Sequence, residues 1–240
     1  MSTRLIIDYV SDIACAWCVV GLYSLERALR AFPDVEPEFR FHPFELDASI
    51  GMEGENLLDH IADKYEIPAE EVREGLAALT ARGAEVGFAF NFSDASRVWN
   101  TFDAHRLLHW SADPAGLKGP AGSKVQGGSA GPGGLADKTL ALEKALYAAY
   151  FTDNRNVADI AVLADAARKA GLDGDAAVTV LESGAYRDDV RQAMRVWRER
   201  GVTAVPTIRL QDKLTITCAQ TVQAFERSIR AALQGAGVSL

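Results

Sequence analysis

The chain has 240 residues, 48% apolar and 24% charged, with a formal charge of -8. That composition fits one large globular domain or two small ones and excludes a disordered or fibrous chain. The acidic balance argues against nucleic acid or an anionic membrane as partner, since both need clustered Lys and Arg, and no run reaches the ~18 apolar residues of a membrane span.

In chain order, "RLIIDYV" near the N-terminus is β-branched and apolar, which predicts a strand. Its single flanking Arg and short apolar run fall short of a secretory signal, so a cytoplasmic protein is expected. The segment "AWCVVGLYSLERALRAF" places Val20, Leu22, Leu25, Leu29 and Phe32 at helical spacing, and Pro33 with Asp34 stops it. "VEPEFRFHPFEL" alternates polar and apolar residues from Glu38 to Phe41, as a half-buried strand does. These residues form a β-α-β unit.

From Asn56 the pattern is helical. Leu57, Leu58, Ile61 and Tyr65 share a face, and Pro68 opens a further helix with acidic residues in its first turn. "FAFNF" is a short extended piece. Helices are expected over 96–110, 138–151, 158–170, 174–182 and 185–200, with no further strand before residue 204. Over residues 111–136, 19 of 26 are Gly, Pro, Ser or Ala, a composition that predicts a flexible surface loop. The tail returns to sheet with "AVPTIRL", a polar turn at Gln211 to Lys213, "LTITC" and an amphipathic helix, so a hairpin and a closing helix are expected. The order predicts an α/β thioredoxin fold with a large all-helical insertion domain. Residues 1–53 and 185–240 would form the discontinuous thioredoxin-like part, and residues 54–184 the insertion.

The chemistry concentrates in "SDIACAWCVVG", residues 11–21, at the junction of first strand and first helix. The chain has three cysteines, and Cys15 and Cys18 stand here two residues apart. A helix N-terminus offers free N–H groups and the positive end of the dipole, which favour a thiolate at Cys15. Cys18, one turn deeper, is placed to resolve a mixed disulfide. Two other readings stay open. A zinc half-site needs two more ligands at close spacing, yet Cys218 stands alone and His42, His60, His105 and His109 form no matching cluster. His105 and His109 are four apart, but without the acidic residue of a metalloprotease motif. Simple packing of two cysteines on a strand-to-helix turn is the third reading.

"SDIACAWCVVG", "NTFDAHRLL", "AYFTDNRNVAD" and "GVTAVPTI" followed by "CAQ" together resemble the DsbA family of thioredoxin-fold oxidoreductases, in its FrnE-like cytoplasmic branch. The resemblance implies a protein thiol-disulfide oxidoreductase with catalytic Cys15 and Cys18. It implies a cis proline at Pro206, facing the motif so that Val205 pairs with a substrate peptide, and Trp17 as an apolar contact on the rim. It further implies no metal or other cofactor beyond the Cys15–Cys18 redox pair, with glutathione open as a co-substrate. The partners would be protein or small-molecule thiols and disulfides and a redox recycling partner, acting on a monomer or homodimer. The family's usual C-P-W-C carries Ala16 here, Val19 takes the aromatic position, and Cys218 stands where the family has Gly, which leaves an accessible accessory thiol and an inert one both open. The related glutathione-dependent isomerases and kappa-class transferases, and a redox-regulated holdase, are the alternative functions. Asn100, Asp103, His105 and Arg106 are expected to be structural.

Overall fold

The computed structural model describes residues 3–113 and 135–234. Strand β1 (Thr3–Ser11), helix α1 (Ala16–Leu29) and strand β2 (Val35–Pro43) open the chain. A two-residue strand β3 (Glu55–Asn56) leads into α2 (Leu57–Tyr65) and α3 (Ala69–Val86). Strand β4 (Arg97–Val98) precedes α4 (Phe102–Ala112) and α5 (Leu135–Tyr147), which runs into a π-helical turn at Ala148–Thr152. Then follow α6 (Ile160–Lys169), α7 (Gly174–Glu182), α8 (Arg187–Glu199), β5 (Thr207–Leu210), β6 (Leu214–Thr217) and α9 (Val222–Gln234).

The main sheet has the order β2-β1-β5-β6, with β1 parallel to β2 and antiparallel to β5. The β5–β6 hairpin closes through a turn in which Gln211 and Asp212 both take positive φ, as a tight hairpin requires. Side chains alternate across β1 and so divide the two faces. Tyr9 reaches into α1, while Asp8 points the other way to His42, whose ring lies 4.5 Å from that of Trp197 in α8. On the first face α1 packs on α9; α4, α5 and α8 pack on β2, and α3 on α1. One continuous apolar core therefore joins the sheet to the helices of residues 54–184.

Local chemistry accounts for several boundaries. The Asn56 side chain accepts the N–H groups of Leu58 and Asp59 and starts α2, as Asp159 and Asp173 start α6 and α7. Gly87 ends α3 in the left-handed conformation, which costs glycine least.

Two expectations are corrected. The helix expected over 96–110 begins only at Phe102, because Arg97 and Val98 pair with Asn56 and Glu55 instead. The Asn100 amide then donates to Ile50 O while its Oδ1 accepts the Phe102 N–H, which holds the chain extended up to the helix start. The inserted segment is for the same reason not all-helical, and a strand pair does precede residue 204. "FAFNF" joins no ladder; the Asn91 N–H instead donates to Phe151 O in the π-helical turn, 2.9 Å away. The loop expected over 111–136, apart from its ends in α4 and α5, lies outside the described residues. Among the described residues no helix is long and apolar enough to cross a membrane.

Candidate active site

Cys15 is the N-cap of α1. Its Sγ accepts the backbone N–H of Cys18 at 3.3 Å, the role that a Ser or Asp oxygen plays at other helix starts. A thiolate at this point meets the positive end of the helix dipole. Both cysteines are free thiols; Cys15 is 5% exposed and Cys18 not at all. Burial, reinforced by the Cys15 sulfur and by the Asp12 carboxylate, holds the pKa of Cys18 well above its ordinary value, against a backbone hydrogen bond from Asp12.

The Val205–Pro206 peptide bond is cis, and the Cys15 Sγ lies 3.7 Å from the Val205 carbonyl oxygen. The loop before β5 thus stands directly against the motif. Gly21 makes that approach feasible: a Cβ there would sit 2.9 Å from the Tyr9 hydroxyl and 3.2 Å from Pro206 Cγ. Tyr9 in turn donates its hydroxyl to Cys18 O at 2.7 Å, locking β1 to the first turn of α1. An isolated glycine within a helical pattern is the sequence signal for such a close approach.

Cys218 is exposed and sits just past β6, with its N–H donated to Pro206 O at 2.9 Å. Its φ of 67° is left-handed, the region that glycine adopts at least cost. Trp17, between the two cysteines, is 51% exposed. It borders a cleft of about 330 Å³ that runs from Cys15 between the motif and the helical segment, walled by Ile61, Leu79 and Trp99 with Lys64 in its lining. Cys15, Cys18, Trp17, Val205, Pro206 and Cys218 all belong to this one end of the fold.

Behind the cysteines lies a buried polar cluster. Asp12, 1% exposed, accepts from Thr101 Oγ1 and Leu46 N–H, both at 2.7 Å, and from Ala14 N–H at 3.3 Å. His105 Nε2 lies 3.4 Å from the same carboxylate and 2.9 Å from Phe44 O. Burial works against a charge on His105, but Asp12, with Glu143 and Glu45 farther off, outweighs it and leaves the His105 pKa above its ordinary value. Glu143, wholly buried, accepts the Ser11 hydroxyl at 2.8 Å, and burial raises its pKa. Arg106, also fully buried, donates to Val180, Leu181 and Ala185 carbonyls and so closes the C-terminal end of α7. His105 and Arg106 are thus hydrogen-bonded interior groups, while Asp12 and Gly21 carry more of the site than their sequence positions advertise.

This arrangement of a thiol pair on a helix N-terminus, faced by a cis-proline loop of a four-stranded sheet, defines a thioredoxin-fold protein. A model of the DSBA-like thioredoxin domain matches residues 6–121 and 133–230, and the chain belongs to that family of thiol-disulfide oxidoreductases. The Bacillus subtilis (strain 168) protein YwbO is 27% identical over 224 residues, which cover 93% of this chain and 94% of YwbO. The crystal structure of a probable DsbA oxidoreductase from Streptomyces coelicolor is 30% identical, with a TM-score of 0.81 over 98% of this chain and 92% of that one. The cytosolic disulfide reductase DsbM from Pseudomonas aeruginosa shares the fold at 14% identity, with a TM-score of 0.56 over 95% of this chain and 98% of DsbM.

Proposed function

We propose that the protein is a cytoplasmic thiol-disulfide oxidoreductase of the FrnE-like branch that works by mixed-disulfide exchange through Cys15 and Cys18. The Cys15 thiolate attacks one sulfur of a substrate disulfide and displaces the other as a thiolate. Cys18, deprotonated as it attacks, then breaks the mixed disulfide and releases the second substrate sulfur, so the substrate gains two electrons and the pair becomes a disulfide. The same steps in reverse oxidise a dithiol. The observation that carries this reading is the position of Cys15 Sγ, at the helix start, 3.3 Å from the Cys18 N–H and 3.7 Å from Val205 O.

Val205 and Pro206 align an extended substrate beside Cys15, Trp17 supplies an apolar contact at the cleft mouth, and Cys218 serves as an accessory thiol on the same rim. Partners are protein or small-molecule thiols and disulfides. Glutathione is included among the co-substrates, a reading supported by the fold shared with a DsbM structure that contains GSH, at a TM-score of 0.55.

The test is reduction of insulin disulfides and oxidation of a dithiol peptide. The wild type is expected to catalyse one or both, and Cys15→Ser neither. Full activity in Cys15→Ser overturns the proposal.

A further inference from the structure

We infer that the cleft beside Cys15 is the binding site for small, uncharged, apolar disulfides, and that the Tyr150 hydroxyl orients them by donating a hydrogen bond to a carbonyl oxygen of the ligand. The inference rests on the mixed-disulfide reading and adds to it a substrate class and the residue that selects it.

The cleft measures about 330 Å³, at the low end of the range for small-molecule sites. Ile61, Leu79, Phe92, Trp99 and Phe151 give it apolar walls, and Cys15 lies in the lining. The rim is apolar as well: Trp17, Leu46 and Tyr65, three of the four large apolar side chains that the described residues expose, all line it. Large apolar side chains left in water around one opening mark a place for an apolar ligand. The charged and titratable side chains of the lining are already engaged. Lys64 pairs with Asp47 at 3.1 Å and His60 with Glu55 at 3.0 Å, while both oxygens of Asp12 accept hydrogen bonds from the chain itself. A charged ligand would therefore lose hydration in the cleft without gaining an unpaired counter-charge, which selects against the carboxylates of glutathione.

Tyr150 supplies the one directional contact. It lies in the π-helical turn Ala148–Thr152, where it and the next residue, Phe151, both line the cleft. Such turns recur at functional sites. The side chain is 5% exposed, and its oxygen accepts the Trp99 N–H at 3.2 Å. A phenol also has one proton to donate, and among the described residues nothing accepts that of Tyr150. Burial raises the Tyr150 pKa above its ordinary value, so the proton stays on the oxygen. A buried donor without an acceptor is costly, and a ligand carbonyl satisfies it without bringing a charge into the cleft.

In the reaction, the Cys15 thiolate attacks one sulfur of the bound disulfide, the ligand S–S bond breaks and the first thiol leaves. Cys18 then displaces the second, so one ligand disulfide becomes two thiols as the protein dithiol becomes a disulfide.

The experiment is a single turnover of the reduced full chain with bis(4-acetylphenyl) disulfide, bis(4-isopropylphenyl) disulfide or glutathione disulfide. The two aryl probes have nearly the same shape and differ in the carbonyl. Each rate constant is divided by that of the same disulfide with dithiothreitol, which removes intrinsic reactivity, and ratios between probes do not depend on the fraction of protein folded. The wild type is expected to prefer both aryl probes to glutathione disulfide, and the acetyl probe to the isopropyl one. Tyr150→Phe is expected to lower the acetyl-to-isopropyl ratio about tenfold. Ile61→Trp, which fills the cleft, is expected to lower the aryl-to-glutathione ratio about tenfold, and Leu79→Trp replaces it if it does not fold. An unchanged ratio in either test overturns the inference, as does a wild type with no preference for the acetyl probe, a result that stands even if Tyr150→Phe does not fold. A wild type that reduces none of the three disulfides overturns the redox reading as well, whereas reduction of glutathione disulfide with unchanged ratios overturns the inference alone.

Discussion

The Cys15 sulfur lies 3.7 Å from the carbonyl oxygen of Val205, a residue 190 positions away in the chain. The contact brings a helix N-terminus and the loop before β5 to one point. Cys18, buried one turn deeper, is reached only through Cys15. Cys18→Ser is therefore expected to accumulate mixed disulfides that Cys15→Ser does not form, seen as adducts on a non-reducing gel. Equal trapping by both variants would contradict the assigned order of attack.

Gly21 is the point at which α1 touches the Tyr9 hydroxyl and Pro206. Gly21→Ala improves helix propensity by about 1 kcal/mol on an exposed helix. Here the added methyl meets a hydroxyl already bonded to Cys18 O, so overpacking of about 1–3 kcal/mol is the opposing effect. Net destabilisation is expected in a urea titration, together with slower insulin reduction. A more stable, fully active Gly21→Ala protein would show that the approach is not tight.

Arg106 satisfies the last carbonyls of α7 and pairs with Asp103 at 2.8 Å, with its side chain fully buried. Arg106→Leu leaves those carbonyls without donors in the interior and is expected to cost about 3 kcal/mol or more in unfolding free energy. The cysteines lie elsewhere, so the folded fraction should retain the wild-type glutathione equilibrium.

For His105 the folded pKa lies above its unfolded value of 6.5, because Asp12 outweighs burial. A group that binds its proton more tightly when folded contributes stability that is fully present below the unfolded pKa and is lost as pH rises through the folded one. The stability advantage of the wild type over His105→Gln is therefore expected to shrink as the pH rises over the interval that starts at the unfolded value of 6.5, measured as the difference in urea midpoints. An advantage that grows over that interval would give the wrong sign.

Cys218 is exposed, while Cys15 and Cys18 are buried. In the Cys15→Ser, Cys18→Ser double variant, a small alkylating reagent is expected to label Cys218 under native conditions as fast as it labels an unfolded control within about tenfold. No labelling would exclude Cys218 from the mechanism.

The β-α-β start, the placement of Cys15 and Cys18 at the strand-to-helix junction, most helices of the inserted segment and the closing hairpin were legible from residue order alone. Each rests on a local signal: a period of two or of 3.6, a capping residue, a proline or a tight turn. The start of α4 was misjudged from such signals, because the amphipathic spacing from Ser96 to Trp110 continues through residues that pair with β3 instead. A strand partner about 40 residues away overrode the local period. The same limit hid the groups behind the thiols. Asp12 draws its donors from Leu46, Thr101 and His105, which lie 34, 89 and 93 positions away, and Val205 reaches Cys15 from the far end of the chain. Sequence determined which residues could do the chemistry, since reactivity belongs to the side chain and its immediate helix. Tertiary structure alone decided which charges, carbonyls and close contacts surround them, because those depend on chain segments that meet only when the sheet and the inserted helices share one core.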